Sequence, residues 1–314
     1  MVMEEYVDQT ERHIQGISYI VPAYNEEPMI APTVSRLESI LSAIGYPFEI
    51  IVVDDGSRDR TRASALAQNC RVISHPGNMG YGAAIKTGIR AAQYEIIGLV
   101  DADGTYEIER LPELTVEIEK GFDMVIAERQ NVFKLDKPFK RLVRRILLWF
   151  LRIFIAKSIR DPNSGFRLFR RDLALTYFPF LCNTFSFTTS ITLFALGDSY
   201  FVQYVPSEYS VREGKSKVRH FRDSLRMAQL IIQGVTFANP LKLYLLIIVM
   251  HVVLVAIPAA ALDIVGLEGT SNIYFWTGSI AVLLGGLGLM SDLIRINTSK
   301  HNIGVDTSSK DDPA

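Results

Sequence analysis

Cysteine is nearly absent from this 314-residue chain, with only Cys70 and Cys182. Two residues so far apart make neither a disulfide framework nor a CxxC metal site, so both are expected as small apolar core residues in a reducing compartment. Net charge is almost absent too, −1 at pH 7. That value by itself implies no partner, and no nucleic acid is expected. The opening residues, "MVMEEYVDQTERHIQG", lack an apolar run, so no cleavable signal peptide is expected there. Acids are missing between Lys137 and Arg160, where eight Lys and Arg side chains stand among Leu, Ile, Trp and Phe.

Apolar residues are in surplus. They make up 48% of the chain, and mean hydropathy is +0.18. Much of the surplus lies in two runs, "LYLLIIVMHVVLVAIPAAAL" (243–262) and "IYFWTGSIAVLLGGLGLM" (273–290). A bilayer core needs about 20 such residues, so the pair predicts a transmembrane hairpin over 237–296. Asp263 and Glu268 lie between the runs, while Lys242, Arg295 and Lys300 flank them, which places both termini in the cytosol. Tyr244, Tyr274 and Trp276 sit near span ends as anchors, and His251 and Pro258 are read as packing or kink residues. Residues 1–15 form a polar segment, and 297–314 a polar tail expected to be disordered.

From 16 to 127, short apolar runs (17–22, 48–55, 71–74, 95–103, 123–127) alternate with helical patterns. The runs are apolar throughout rather than alternating, as in parallel strands covered on both faces. An α/β domain with a mainly parallel sheet follows, with ligands at the carboxyl ends of its strands. Three of those ends carry chemistry: "VPAYNEE" (21–27), "VVDDGSRDRT" (52–61) and "LVDADGTY" (99–106). Tyr24 can stack on a base, and Asp54 or Asp55 can accept from its N–H groups. Asp101 and Asp103, one residue apart, are hard oxygen ligands suited to Mg²⁺ or Mn²⁺ on a diphosphate. The glycines of "HPGNMGYGAAIKTGI" (75–89), including Gly80, with Lys86 beyond, either cradle phosphates or make a packing turn. A dinucleotide fingerprint is excluded, because the first strand ends in Pro-Ala-Tyr.

"VPAYNE", "VVDDGS", "DAD", "SGFRLFRR" and "REGKSK", in that order, resemble the inverting GT-A glycosyltransferases. The subgroup is the dolichol-phosphate-mannose synthase-like, polyprenyl-phosphate glycosyltransferases. The resemblance covers 16–236 and implies a Rossmann-like GT-A domain ahead of the hairpin. It implies that Pro22, Ala23, Tyr24, Glu26 and Asp55 hold the nucleoside of a UDP- or GDP-hexose, with Asp54, Gly80, Lys86 and Ala102 also on the nucleotide. Asp101 and Asp103 would bind the donor phosphates and the cation, and Arg212, Ser216 and Lys217 would close over the diphosphate. Arg129, Arg141, Arg144, Arg145 and Ser164 would bind the acceptor phosphate, with Arg129 counted among the catalytic residues. Thr105 stands where these enzymes often carry a Gln, which leaves the third metal ligand open. Q-x-x-R-W is absent, arguing against a polymerase.

The resemblance thus implies transfer of one sugar from a nucleotide sugar to undecaprenyl or dolichyl phosphate on the cytosolic membrane face, with inversion. Metal and basic side chains would neutralise the leaving diphosphate. A phosphate acceptor, whose second pKa is about 6, needs no general base. Asp161 is left between a loop-structuring role and a base, and Arg167, Arg170 and Arg171 between surface or structural cations and ligands. The alternatives are another lipid acceptor on the same fold, or a catalytically silent nucleotide-sugar-binding membrane protein. Self-association is left open.

The basic-apolar stretch is expected as an interfacial helix over 137–159. Its longest uncharged run, Ile146 to Leu151, is too short to span a bilayer. At about 100° per residue, Lys137, Arg141, Arg144, Arg145 and Arg152 share one side. Val143, Ile146, Leu147, Trp149, Phe150, Ile153 and Phe154 fill much of the other, with Leu148 and Ile155 intruding on the basic face.

Overall fold

A computed structural model describes residues 14–135, 138–184, 186–210, 229, 232–236, 239–265 and 271–304. The chain divides into two compact units, one of residues 1–152 and 156–231, the other of 232–314 with 153–155.

The first unit is built on a seven-stranded sheet. Strands β1 (Ile17–Ala23), β2 (Phe48–Asp54), β3 (Arg71–Ser74) and β4 (Ile96–Leu99) alternate with helices α1 (Glu27–Ile44), α2 (Thr61–Leu66) and α3 (Tyr81–Ala91). A 3₁₀ turn (Ile108–Arg110) leads into α4 (Leu111–Glu119) and β5 (Met124–Arg129). Helices α5 (Val132–Leu135) and α6 (Pro138–Phe154) precede β6 (Arg167–Arg170), α7 (Arg171–Thr176), α8 (Phe187–Gly197) and β7 (Val202–Ser207). The order is β3-β2-β1-β4-β6-β5-β7. All neighbours are parallel except β6, which runs antiparallel to both β4 and β5. Every residue of β1 and β4 is buried, the reason these strands read as unbroken apolar runs. α1 packs Ile30, Val34, Leu37 and Leu41 inward at helical spacing and stops at Gly45, whose φ of 88° few other residues adopt.

"RLFR" adds a central strand to those expected from the apolar runs; its Arg167 is wholly buried, so charge hid the strand. Two expectations change. Both cysteines are half-buried rather than in the core. The expected interfacial helix runs 138–154 and splits its apolar side. Leu148 and Leu151 are buried, whereas Leu142, Ile146, Trp149 and Ile153 form an exposed stripe at i, i+4, i+7 and i+11.

The second unit holds two helices long and apolar enough to cross a membrane, Pro240–Ile264 and Asn272–Ile294. The first comprises α9 (Pro240–His251), a π-helical turn (Val252–Ala256) and α10 (Ile257–Ile264). The π turn precedes Pro258, which lacks an N–H and crowds the preceding turn. The second belongs to α11 (Ser271–Gly304), so the tail expected to be disordered from 297 is helical through Gly304. Gly288 packs against Tyr244 and Leu241, and the Tyr274 hydroxyl donates to Asp263 across the hairpin's turn (2.6 Å). Residues 305–314 lie outside the described residues.

Candidate active site

Chain direction across the sheet locates the crevice. From β1 the connections step outward to β2 and β3, then return to β4 on the other side of β1. The carboxyl ends of β1 and β4 therefore flank a topological switch point, where open α/β sheets bind ligands. The loop after β1, with Tyr24 and Glu26 half-buried, is laced to the loop after β2. Asn25, at φ 52°, donates its N–H to Ser57 Oγ (2.9 Å) and accepts from the Arg58 N–H (2.8 Å). The Glu26 N–H donates to Thr61 Oγ1 (2.8 Å). Pro22 and Ala23 lie beside Val53 and Asp54 in parallel register, so the two motifs form one wall.

Several of the expected nucleotide residues have partners within the protein. Asp55 is buried, and its carboxylate accepts from the Met79 and Gly80 N–H groups (2.8 Å each) and meets His75 Nδ1 at 2.8 Å. It anchors the 75–80 loop. Asp54 is buried as well and accepts from the Ser57 N–H (3.1 Å). With the Gly80 N–H committed to Asp55, the glycine-rich stretch resolves as a packing turn. A Cβ at Gly80 or Gly82 would strike the Asn183 or Cys182 backbone, and one at Gly88 the Ile20 side chain. Lys86 also belongs to this seam: its ammonium donates to Leu181 O and to Asn183 Oδ1 (2.9 Å). Burial lowers its pKa.

The Asp101–Asp103 turn closes the crevice at β4. Ala102 between them is buried, and both aspartates are partly exposed. Gly104, at φ 69°, allows the tight turn after them. Thr105 donates both its N–H (3.2 Å) and its hydroxyl (2.6 Å) to Asp103 Oδ1, so it orients Asp103. The Tyr81 hydroxyl donates to Asp101 Oδ1 at 2.6 Å. Burial and the neighbouring Asp101 hold that phenol well above its usual pKa, so it stays a donor. A Cβ at Gly165 would lie 2.5 to 2.8 Å from the Asp101 carboxylate. Among the described residues no group of three or more His, Cys, Asp or Glu converges on one point. Two hard carboxylates one residue apart still fit a divalent cation that takes its remaining oxygens from diphosphate and water.

A second, basic pocket lies at the end of β5. A cavity of about 170 Å³ is lined by Arg129, Arg144, Arg160, Glu128, Asp161 and Asn163, with Leu147 and Leu148 from α6; Arg160 pairs with Glu128 (3.4 Å). Arg129 and Asp161 form a buried two-pronged pair, Nε to Oδ2 and Nη2 to Oδ1, both 2.7 Å. Burial works against the Asp161 charge, but the Arg129 charge and hydrogen bonds outweigh it and hold the carboxyl below its usual pKa. Asp161 thus has the surroundings of a fixed anion. Of the helix arginines expected at the acceptor, Arg144 lines the cavity; Arg141 is half-buried and Arg145 exposed, and neither is part of the lining. Ser164 is buried inside its own loop, exchanging hydrogen bonds with the Phe166 backbone.

That loop, 161–165, joins the two pockets, and sequence reasoning missed what shapes it. Arg167 has no exposure and donates to Ser164 O, Pro162 O (3.2 Å), Thr188 O (3.1 Å) and Thr192 Oγ1 (2.8 Å). Its role is structural. The Tyr106 hydroxyl accepts from the Gly165 N–H (2.6 Å). Past β7, Ser210 N–H donates to Thr105 O (2.9 Å), and Tyr209 exchanges two hydrogen bonds with Asn131. The chain is thereby brought to the Asp103 turn just before "VREGKSK". Arg212, Ser216 and Lys217 themselves lie outside the described residues.

Comparison with known proteins bears on this geometry. Residues 18–178 match the family model described as glycosyl transferase family 2. The chain belongs to this family. It is a family 2 glycosyltransferase, and its relatives are the polyprenyl-phosphate glycosyltransferases that its motifs resemble. A dolichyl-phosphate beta-glucosyltransferase of Dictyostelium discoideum is 30% identical over 239 residues, 69% of this chain and 73% of that protein. An undecaprenyl-phosphate 4-deoxy-4-formamido-L-arabinose transferase of Pectobacterium atrosepticum is 30% identical over 188 residues, 55% of this chain. The match spans 57% of that relative's length. Among solved structures, glucosyl-3-phosphoglycerate synthase from Mycobacterium tuberculosis in complex with UDP shares the fold, with a TM-score of 0.58 at 21% identity. That match covers 70% of this chain and 80% of the synthase. The fold is therefore GT-A-like, followed by two apolar helices that form a candidate transmembrane hairpin.

Proposed function

We propose that this family 2 glycosyltransferase moves one sugar from a nucleotide-diphosphate sugar to a polyprenyl phosphate at the cytosolic membrane face, inverting the anomeric carbon. The observation that carries the reading is the meeting of two unlike pockets on one loop. Gly165 abuts Asp101 of the carboxylate turn, and Asp161 holds Arg129 of the basic cavity. A nucleotide crevice beside an arginine-lined, partly apolar pocket suits a donor diphosphate and a lipid phosphate. Relatives named for dolichyl-phosphate and undecaprenyl-phosphate transfer support that acceptor class.

In this reading Tyr24 and Glu26 contact the nucleoside, and Asp101 and Asp103 hold Mg²⁺ or Mn²⁺. The glucosyl-3-phosphoglycerate synthase has been crystallised with Mn²⁺ and UDP-glucose, which favours a divalent ion here. The cation would supply charge neutralisation on the leaving diphosphate. Arg212 and Lys217 would add to it from the segment that follows Ser210. Arg129 and Arg144 orient the acceptor phosphate, which reaches the site already anionic at neutral pH, so no side chain need remove a proton. Asp161 keeps Arg129 in place. The exposed stripe of α6 and the basic Arg145 at its edge suit the membrane interface, where a polyprenyl phosphate presents its head.

Purified full-length protein in nanodiscs, given UDP- or GDP-hexoses with undecaprenyl or dolichyl phosphate and Mg²⁺ or Mn²⁺, is expected to make a glycolipid heavier by one sugar. Mass spectrometry reads the product. Failure with every donor, or transfer to an acceptor without a phosphate, would overturn the proposal.

A further inference from the structure

The glycine-rich stretch 75–89 has a use that a phosphate cradle does not describe. Asp55 fixes its entry through the Met79 and Gly80 N–H groups. Gly80 and Gly82 let the start of α3 lie against the 182–183 backbone, where a side chain would not fit. The residue so placed is Tyr81, and its hydroxyl reaches Asp101 Oδ1 at 2.6 Å. On the other flank Gly165 leaves no room for a Cβ, at 2.5 Å from Oδ2. Gly165 is itself immobilised by Tyr106 and by the Arg167 clamp on Ser164 O.

We propose that Tyr81 is a positioning residue for the divalent cation, holding the Asp101 carboxylate between its hydroxyl and Gly165 so that the ligand is oriented before the ion arrives. The inference rests on the reading of Asp101 and Asp103 as the metal carboxylates. Its physical basis is that a carboxylate on one rotatable arm loses orientational freedom on binding a metal, and a hydrogen-bonded partner that removes this freedom beforehand strengthens the site. Outer partners of this kind typically contribute 10- to 100-fold in metal affinity. Tyr81→Phe removes the donor and keeps the ring. Gly165→Ala keeps the donor and pushes on the other oxygen.

The test is Mn²⁺ titration of the full-length protein in detergent with saturating UDP or GDP, against the nucleotide alone, with free Mn²⁺ read by electron paramagnetic resonance, beside turnover as a function of Mn²⁺. Wild type is expected to bind one Mn²⁺ and Asp103→Ala none. Tyr81→Phe should bind about 10-fold more weakly with an unchanged melting temperature. The Mn²⁺ needed for half-maximal turnover should rise by the same factor, with kcat recovering at saturating Mn²⁺. Gly165→Ala should also weaken Mn²⁺, which keeps the test informative if the Phe variant misfolds. Wild-type affinity in both variants would overturn the role of Tyr81 while leaving the metal site intact. No Mn²⁺ binding by wild type would overturn the metal reading, and this inference with it.

Discussion

Replacing Asp161 with alanine separates the two roles that the sequence left open for it. The carboxylate accepts three hydrogen bonds from Arg129, from the backbone N–H (3.2 Å), Nε (2.7 Å) and Nη2 (2.7 Å). The Arg129 and Asp161 side chains are only 10% and 6% exposed. Removing one member of such a buried pair strands the other charge and costs about 3–5 kcal/mol. The cavity beside the pair lets water reach Arg129, so the lower end, about 3 kcal/mol, is expected. At about 2–4 °C per kcal/mol for a domain of this size, the melting temperature should fall by roughly 6–12 °C. Arg129→Leu combined with Asp161→Leu should recover most of that loss, because neither charge is then stranded. The pH dependence has a definite sign. The folded pKa of Asp161 is depressed, so its contribution is complete above the unfolded value of about 3.9 and is lost as pH falls through the folded value. Wild type should therefore lose stability below about pH 4, and Asp161→Asn should lack that component. Thermal melts by circular dichroism at pH 3–7 read both effects. In the turnover assay, Asp161→Asn should raise the acceptor KM and change kcat little. A general base contributes about 10²–10⁴-fold. A fall in kcat of that size at saturating acceptor, with the melting temperature unchanged, would refute the reasoning and make Asp161 the base.

Arg167→Met should be among the most damaging single changes, at more than about 3 kcal/mol, because it removes the guanidinium's hydrogen bonds to the Ser164, Pro162 and Thr188 carbonyls in the interior; a melt within 3 °C of wild type would contradict the clamp. Lys86→Met should cost about 1–3 kcal/mol by freeing Leu181 O and Asn183, with the donor KM unchanged; a tenfold rise in donor KM would return Lys86 to the nucleotide. Arg144→Glu should raise the acceptor KM more than Arg145→Glu does, since Arg144 lines the cavity and Arg145 does not; equal effects would move the acceptor phosphate onto the open face of α6. In a Trp276→Phe background, brominated lipids should quench Trp149 strongly if the exposed stripe of α6 lies in the interface; no quenching would place that face in water.

The sequence by itself determined the alternation of strands and helices, because parallel strands covered on both faces must be apolar along their whole length, and that pattern is local. It determined the three motif-bearing strand ends and the two long apolar runs for the same reason. It also ranked residues by type, and type alone does not show that Lys86, Asp55 and Ser164 hold loops together. Only the tertiary structure decided these points. The partners of Lys86 are 95 and 97 residues away, those of Asp55 20 to 25, and that of Arg129 is 32. Contacts closed over such distances leave no periodic signal in the chain. β6 was hidden likewise, since a strand whose buried face carries Arg167 is legible only once the carbonyls that satisfy it are in place. The phenol of Tyr81 on Asp101 belongs with them: a tyrosine among glycines says little until the sheet brings β4 alongside α3.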